Sequence, residues 1–97
     1  MDKEYSVFWS KTALNELSNI LAYPSDVKER IYLDSFSRLS YAPTLTAKKI
    51  PNGVLEGYWV RLGLYQVMLV FEVDEEKSTV WVDGIKHKRE NAYWKNK

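Results

Sequence analysis

Between Tyr58 and Phe71 the chain reads YWVRLGLYQVMLVF, and Arg61 is its one charged residue. A guanidinium in so apolar a stretch needs a partner, and a carboxylate such as Glu72 on the neighbouring strand is one candidate. Lys48 and Lys49 precede the stretch. Adjacent lysines there either reach phosphate or guard an exposed strand edge. His87 is the sole histidine; an unperturbed imidazole, titrating at about pH 6.5, can give or take a proton near neutrality, although a lone histidine at a strand end also serves structure. It lies in the tail KHKRENAYWKNK, which holds five Lys/Arg and one acid beside Tyr93 and Trp94. Such a tail suits phosphate and base contact, or it is a solvated charged face.

The elements that must position these residues are legible as patterns. YSVFW alternates Tyr5, Val7 and Trp9 on one face and predicts a strand. Ser10 fits a helix N-cap, and Ala13, Leu14, Leu17, Ile20 and Leu21 give a helical stripe that ends near Tyr23-Pro24. Ser25 fits the cap of a second helix, with Asp26 in its first turn and Val27, Ile31, Ser35, Phe36 and Leu39 as its inward arc. The short connection predicts an αα-hairpin. Strand formers then take over. Pro51-Asn52-Gly53 and Glu56-Gly57 mark turns, Tyr58, Val60 and Leu62 alternate with Trp59 and Arg61, and Gly63-Leu64 leads into a strand apolar on both faces, which belongs at the centre of a sheet. DEEKS reads as a turn, TVWVDGI as the last strand and residues 89–97 as a short helix or tail. The prediction is an α+β fold: an N-terminal strand, an αα-hairpin, then a three- to four-stranded antiparallel sheet.

Composition narrows the function classes. With 97 residues, 45% hydrophobic and 28% charged, the chain predicts a single globular domain over residues 1–97. The absence of cysteine excludes disulfides and thiolate metal sites. No apolar run of signal-peptide or membrane-helix length occurs, which predicts a cytoplasmic protein with no membrane partner. A net charge of +1 excludes a positive field over the whole surface; the bases concentrate in residues 46–97, nine against seven acids. Gly-rich phosphate loops, H-E-x-x-H and G-x-S-x-G are absent, and Asp74, Glu75 and Glu76 lie on a turn better suited to water than to a metal.

Three segments carry a resemblance. WSKTALNEL at 9–17, GYWVRLGLYQVMLVFEV at 57–73 and IKHKRENAY at 85–93 resemble the W-S-x-x-A-x-x-x-L, yRiRvGdYRv and hR-x-x-vY patterns of the RelE/ParE superfamily of toxins, in order and over nearly the whole chain. The resemblance implies a toxin of a type II toxin–antitoxin system, partnered by a cognate antitoxin and needing no cofactor or metal. Its RelE-like branch is a ribosome-dependent mRNA endonuclease that inhibits translation; its ParE-like branch inhibits DNA gyrase. For the first branch the implied catalytic residues are Arg61, His87, Lys88 and Tyr93, with Lys48, Lys49, Gln66 and Arg89 as substrate contacts. Either Lys88 or Arg89 takes the family's arginine position, and Tyr93 either exchanges a proton, stacks on a base or packs on the core. Gln66 and Trp59 stand where the family carries cations. A lost oxyanion-type donor costs about 2.7–4 kcal/mol of transition-state stabilisation, so a catalytically attenuated member is a third reading, and a binding toxin would rely on aromatics such as Trp59 and Trp94.

Overall fold

The computed structural model describes residues 3–87. Lys88, Arg89, Tyr93, Trp94 and the expected C-terminal helix or tail lie outside the described residues. Elements follow in the order β1 (Ser6–Trp9), α1 (Lys11–Ser18), α2 (Ser25–Ser40), β2 (Lys48–Lys49), β3 (Trp59–Leu62), a turn over Leu64–Gln66, β4 (Val67–Asp74) and β5 (Thr79–His87). The strands form one sheet in the order β1-β5-β4-β3-β2. The last four strands pair antiparallel as expected, whereas β1 adds a fifth strand parallel to β5.

Local chemistry sets the helix limits. The Ser10 hydroxyl accepts the Ala13 N–H at 3.0 Å, so α1 begins where the sequence predicts. It stops at Ser18, short of Tyr23-Pro24. Ile20 is buried nevertheless, because the turn beyond the helix tucks it inward and turns Leu21 to solvent; the resulting spacing imitates another helical turn. Ser25 lies inside α2 rather than capping it. Pro24 holds the cap position at φ −74° and ψ 171°, and its carbonyl accepts the Val27 and Lys28 N–H groups at 3.1 Å, so the backbone alone starts the helix.

The far end of α2 has no glycine. Ala42 takes a left-handed φ of 46°, a conformation that costs a residue with a side chain about 1–2 kcal/mol. The end is held from the sheet: Arg61 Nη1 donates to the carbonyls of Arg38 at 3.0 Å, Pro43 at 3.2 Å and Ala42 at 3.3 Å. A cation is favoured at a helix C-terminus and satisfies carbonyls that the helix leaves unpaired. Burial, and then the nearby Arg38 charge, lower the Arg61 pKa, with Asp34 opposing them; the guanidinium remains protonated. Asp34 is bound at 2.6 Å by Arg38 Nε.

β4 is buried on both sides. Val67, Leu69 and Phe71 meet Ala13, Leu17, Ile31 and Leu39 from the helices, together with Val80, Val82 and Ile85 of β5. Val70 joins Ile50 and Val60 in a second cluster on the opposite face, closed by Leu55, Tyr58 and Met68. Beyond the end of β1, α1 packs beside β5, and the Glu16 carboxylate accepts the Ile85 N–H at 3.0 Å and pairs with Lys86 at 3.5 Å. The free edge of β5 is thereby covered.

The β4–β5 register shifts between Val70 and Phe71, where Val70 faces Gly84 and Phe71 faces Val82. Asp83 is the extra residue of this bulge, and one of its carboxylate oxygens is buried with no hydrogen-bond partner. Burial first, then a hydrogen bond and repulsion from Glu72, push its pKa up to about 7. A proton held there relieves the cost of a desolvated charge.

Two outcomes follow from these contacts. Arg61→Ala strips the α2 terminus of its donor and is expected to lower stability by about 1.5–3 kcal/mol, read from urea unfolding; a change within error would mean that the contact carries no stability. The raised Asp83 pKa makes the folded state hold a proton that the unfolded state releases. That contribution is full below about pH 4 and is lost as pH rises through about 7. Asp83→Asn should remove this fall in urea midpoint and, allowing for solvent screening, gain on the order of 1 kcal/mol at about pH 8. Parallel pH profiles for the two proteins would contradict the assignment.

Candidate functional site

The register of β4 and β5 sets Val67 opposite His87, so the last described residue of the sheet arrives beside the turn that enters β4. Gly63 closes that turn by donating its N–H to the Val67 carbonyl at 2.8 Å. A Cβ there would lie 3.0 Å from Val67 Cγ2 and 3.1 Å from Leu69 Cδ1, so a side chain would fit only if these two neighbours gave way by a few tenths of an ångström. Tyr65 and Gln66 then take left-handed φ values of 56° and 63° in succession, without glycine. Two such residues store strain that the surroundings must hold.

Tyr23, from the loop between α1 and α2, supplies much of that hold. Its hydroxyl donates to the Tyr65 carbonyl at 2.6 Å, its ring lies 5.9 Å from the Tyr65 ring, and Arg30 of α2 donates to the Tyr65 hydroxyl at 3.3 Å. The pKa of Arg30 is raised, chiefly by this bond. His87 closes the group: Nε2 lies 3.0 Å from the Tyr23 hydroxyl, and the two rings meet edge to face at 5.2 Å. Ala22, Tyr23, Tyr65, Gln66 and His87 line a cleft of about 570 Å³. It offers an imidazole able to exchange a proton, an amide able to donate hydrogen bonds and two exposed or half-exposed aromatic rings.

Among the residues singled out in the sequence, the structure brings Gln66 and His87 together. Arg61 is elsewhere. Its guanidinium faces the end of α2 rather than an outward phosphate site, and it does not pair with Glu72, which interacts with Asp83 and Tyr58 instead. Alternation explains the separation: Arg61 is opposite Leu69 on the helix-covered face, and Glu72 points to the other. Lys48 and Lys49 are exposed on the short edge strand β2; Lys49 Nζ lies 5.6 Å from the centre of the Trp59 ring, a cation–π contact. Trp59 itself packs against the main core. Among the described residues no group of three or more His, Cys, Asp or Glu could hold a metal ion, and no helix is long and apolar enough to cross a membrane.

Tyr23 and Tyr65 were not legible as site residues. Tyr23 reads as the end of a helix, and the double left-handed turn at Tyr65-Gln66 has no glycine to announce it.

No protein-family model matches the chain, and no curated protein matches it. Solved structures do. A chain of the toxin–antitoxin complex RelBE2 from Mycobacterium tuberculosis superposes with a TM-score of 0.74 at 22% identity, over 91% of this chain and 95% of that one. A chain of the archaeal RelE–RelB complex from Pyrococcus horikoshii OT3 superposes with a TM-score of 0.61 at 14% identity, over 91% of this chain and 99% of that one. With its two helices and five-stranded sheet, the protein has the RelE fold.

Proposed function

We propose that the protein is the toxin of a type II toxin–antitoxin pair, restrained by a cognate antitoxin, and that it cleaves mRNA on the ribosome at the cleft beside His87. What carries the reading is the pairing of a proton-exchanging ring with an amide donor in one open cleft, Gln66 and His87, on a fold shared with chains of toxin–antitoxin complexes.

The chemistry needs few parts. A base removes the proton of a ribose 2′-hydroxyl, whose oxygen forms a bond to the adjacent phosphorus; the bond from phosphorus to the 5′ oxygen breaks, and an acid protonates that leaving oxygen. His87 serves as one of these two groups. The Gln66 amide donates to a phosphate oxygen but brings no charge. Arg61 is committed to α2, so the cation that stabilises the extra negative charge is assigned to Lys88 or Arg89, directly after His87 in the chain, and the second proton-exchanging group to Tyr93. Lys48 and Lys49 contribute at longer range to the RNA backbone.

Purified protein in a cell-free translation reaction tests this. The mRNA should be cut only while it is being translated, and His87→Ala should slow cutting by about 10²–10⁴-fold with little change in stability. Intact mRNA together with blocked supercoiling by purified gyrase would overturn the nuclease reading in favour of a binding toxin.

A further inference from the structure

We propose that Tyr65 and Arg30 form a nucleotide subsite beside the cleft, in which a base of single-stranded RNA stacks on the Tyr65 ring and the Arg30 guanidinium takes a neighbouring phosphate. The proposal rests on the function proposed above only for RNA as the ligand. It gives a binding role to two residues that the proposed chemistry does not use.

The turn into β4 needs a left-handed backbone at two successive positions, 65 and 66. Glycine or asparagine adopts that backbone at little cost, and tight strand connections favour them. The chain places Tyr and Gln there instead, each against its own backbone preference. Core packing does not account for the choice, because both side chains are exposed, Tyr65 at 40%. Strain kept where the side chains face water points to a use for the side chains themselves.

The Tyr65 ring is exposed and yet fixed. The Tyr23 hydroxyl holds its backbone carbonyl at 2.6 Å, the Tyr23 ring lies beside it at 5.9 Å, and Arg30 binds its hydroxyl at 3.3 Å. A ring held this way stacks on a base with little ordering left to do. Bases of single-stranded RNA offer a flat face to such a ring whatever their sequence. Arg30 reaches the same turn from α2 with its side chain 61% exposed. Its other contact is Asp26 at 3.9 Å, an exposed pair of the kind that contributes little. A guanidinium has five N–H donors, so it can bind a phosphate while it holds the tyrosine hydroxyl. Arg61, the cation that the sequence places nearest this turn, is instead bound to the end of α2.

Binding of a labelled single-stranded oligoadenylate to the purified protein tests the subsite, read by fluorescence anisotropy across a salt series with urea midpoints measured alongside. Tyr65→Phe keeps the ring and should bind nearly as well as wild type. Tyr65→Asn removes the ring but suits the left-handed turn, so it should weaken binding by about 5–150-fold while the urea midpoint is unchanged or raised. Arg30→Gln should flatten the slope of log affinity against log salt by about 0.7, the value of one phosphate contact on a single strand. The same oligomer stripped of its bases should bind wild type more weakly and be indifferent to Tyr65→Asn. Absent RNA binding, binding that Tyr65→Asn leaves intact, a midpoint that falls in Tyr65→Asn, or an unchanged salt slope in Arg30→Gln would overturn the proposal. Wild-type protein that binds in the expected pattern yet cuts no mRNA on ribosomes would remove the nuclease reading and support the subsite.

Discussion

A strand buried on both faces cannot stand at the surface of a protein, and β4 is such a strand. Val67, Leu69, Val70 and Phe71 are each 0–1% exposed, so apolar cover has to arrive from both sides. The helices supply one side and the segment of Ile50, Leu55 and Tyr58 the other. With β4 central, β3 and β5 must flank it, and β1 can extend the sheet only beyond β5. The cleft is a by-product of this order: the turn into β4 and the end of β5 meet because Val67 pairs with His87.

The charges divide along the same lines. Arg61 is on the covered face of β3, where water is scarce and backbone carbonyls at the end of α2 are the available acceptors. A guanidinium bound to several carbonyls at a helix terminus is a structural part. Asp83 is on the opposite face, where a bulge forces a carboxyl against Glu72 and keeps it protonated well above the ordinary carboxylate range. Among the described residues the cleft draws its polarity from a tyrosine hydroxyl, a glutamine amide and an imidazole.

What the sequence disclosed was the part governed by local rules. Ser10 as a cap, the alternation in β1 and β3 and the two-faced apolar pattern of β4 each follow from the residue itself and its near neighbours. Long-range choices were hidden. Ile20 is buried from a turn and lengthens the apparent helix; Asp83-Gly84 forms a bulge inside a strand; and β1 pairs parallel with β5, from the other end of the described chain. Of the residues that line the cleft, His87 and Gln66 were singled out from their side-chain chemistry and the family resemblance, but Tyr23 was not, because its contact is with a carbonyl 42 residues away in the chain. The partners of Arg61 were hidden for the same reason: they are backbone atoms, which leave no signature in a side-chain pattern.

The central proposal is that Arg61 holds the fold while the end of β5 carries the proposed chemistry. It is tested most directly by the rate of mRNA cutting on translating ribosomes per folded molecule, for Arg61→Ala and His87→Ala measured side by side. The account predicts that Arg61→Ala, corrected for its folded fraction, cuts at close to the wild-type rate, while fully folded His87→Ala is slowed by about 10²-fold or more. A folded Arg61→Ala protein that cuts nothing, beside a His87→Ala protein that cuts normally, would contradict it.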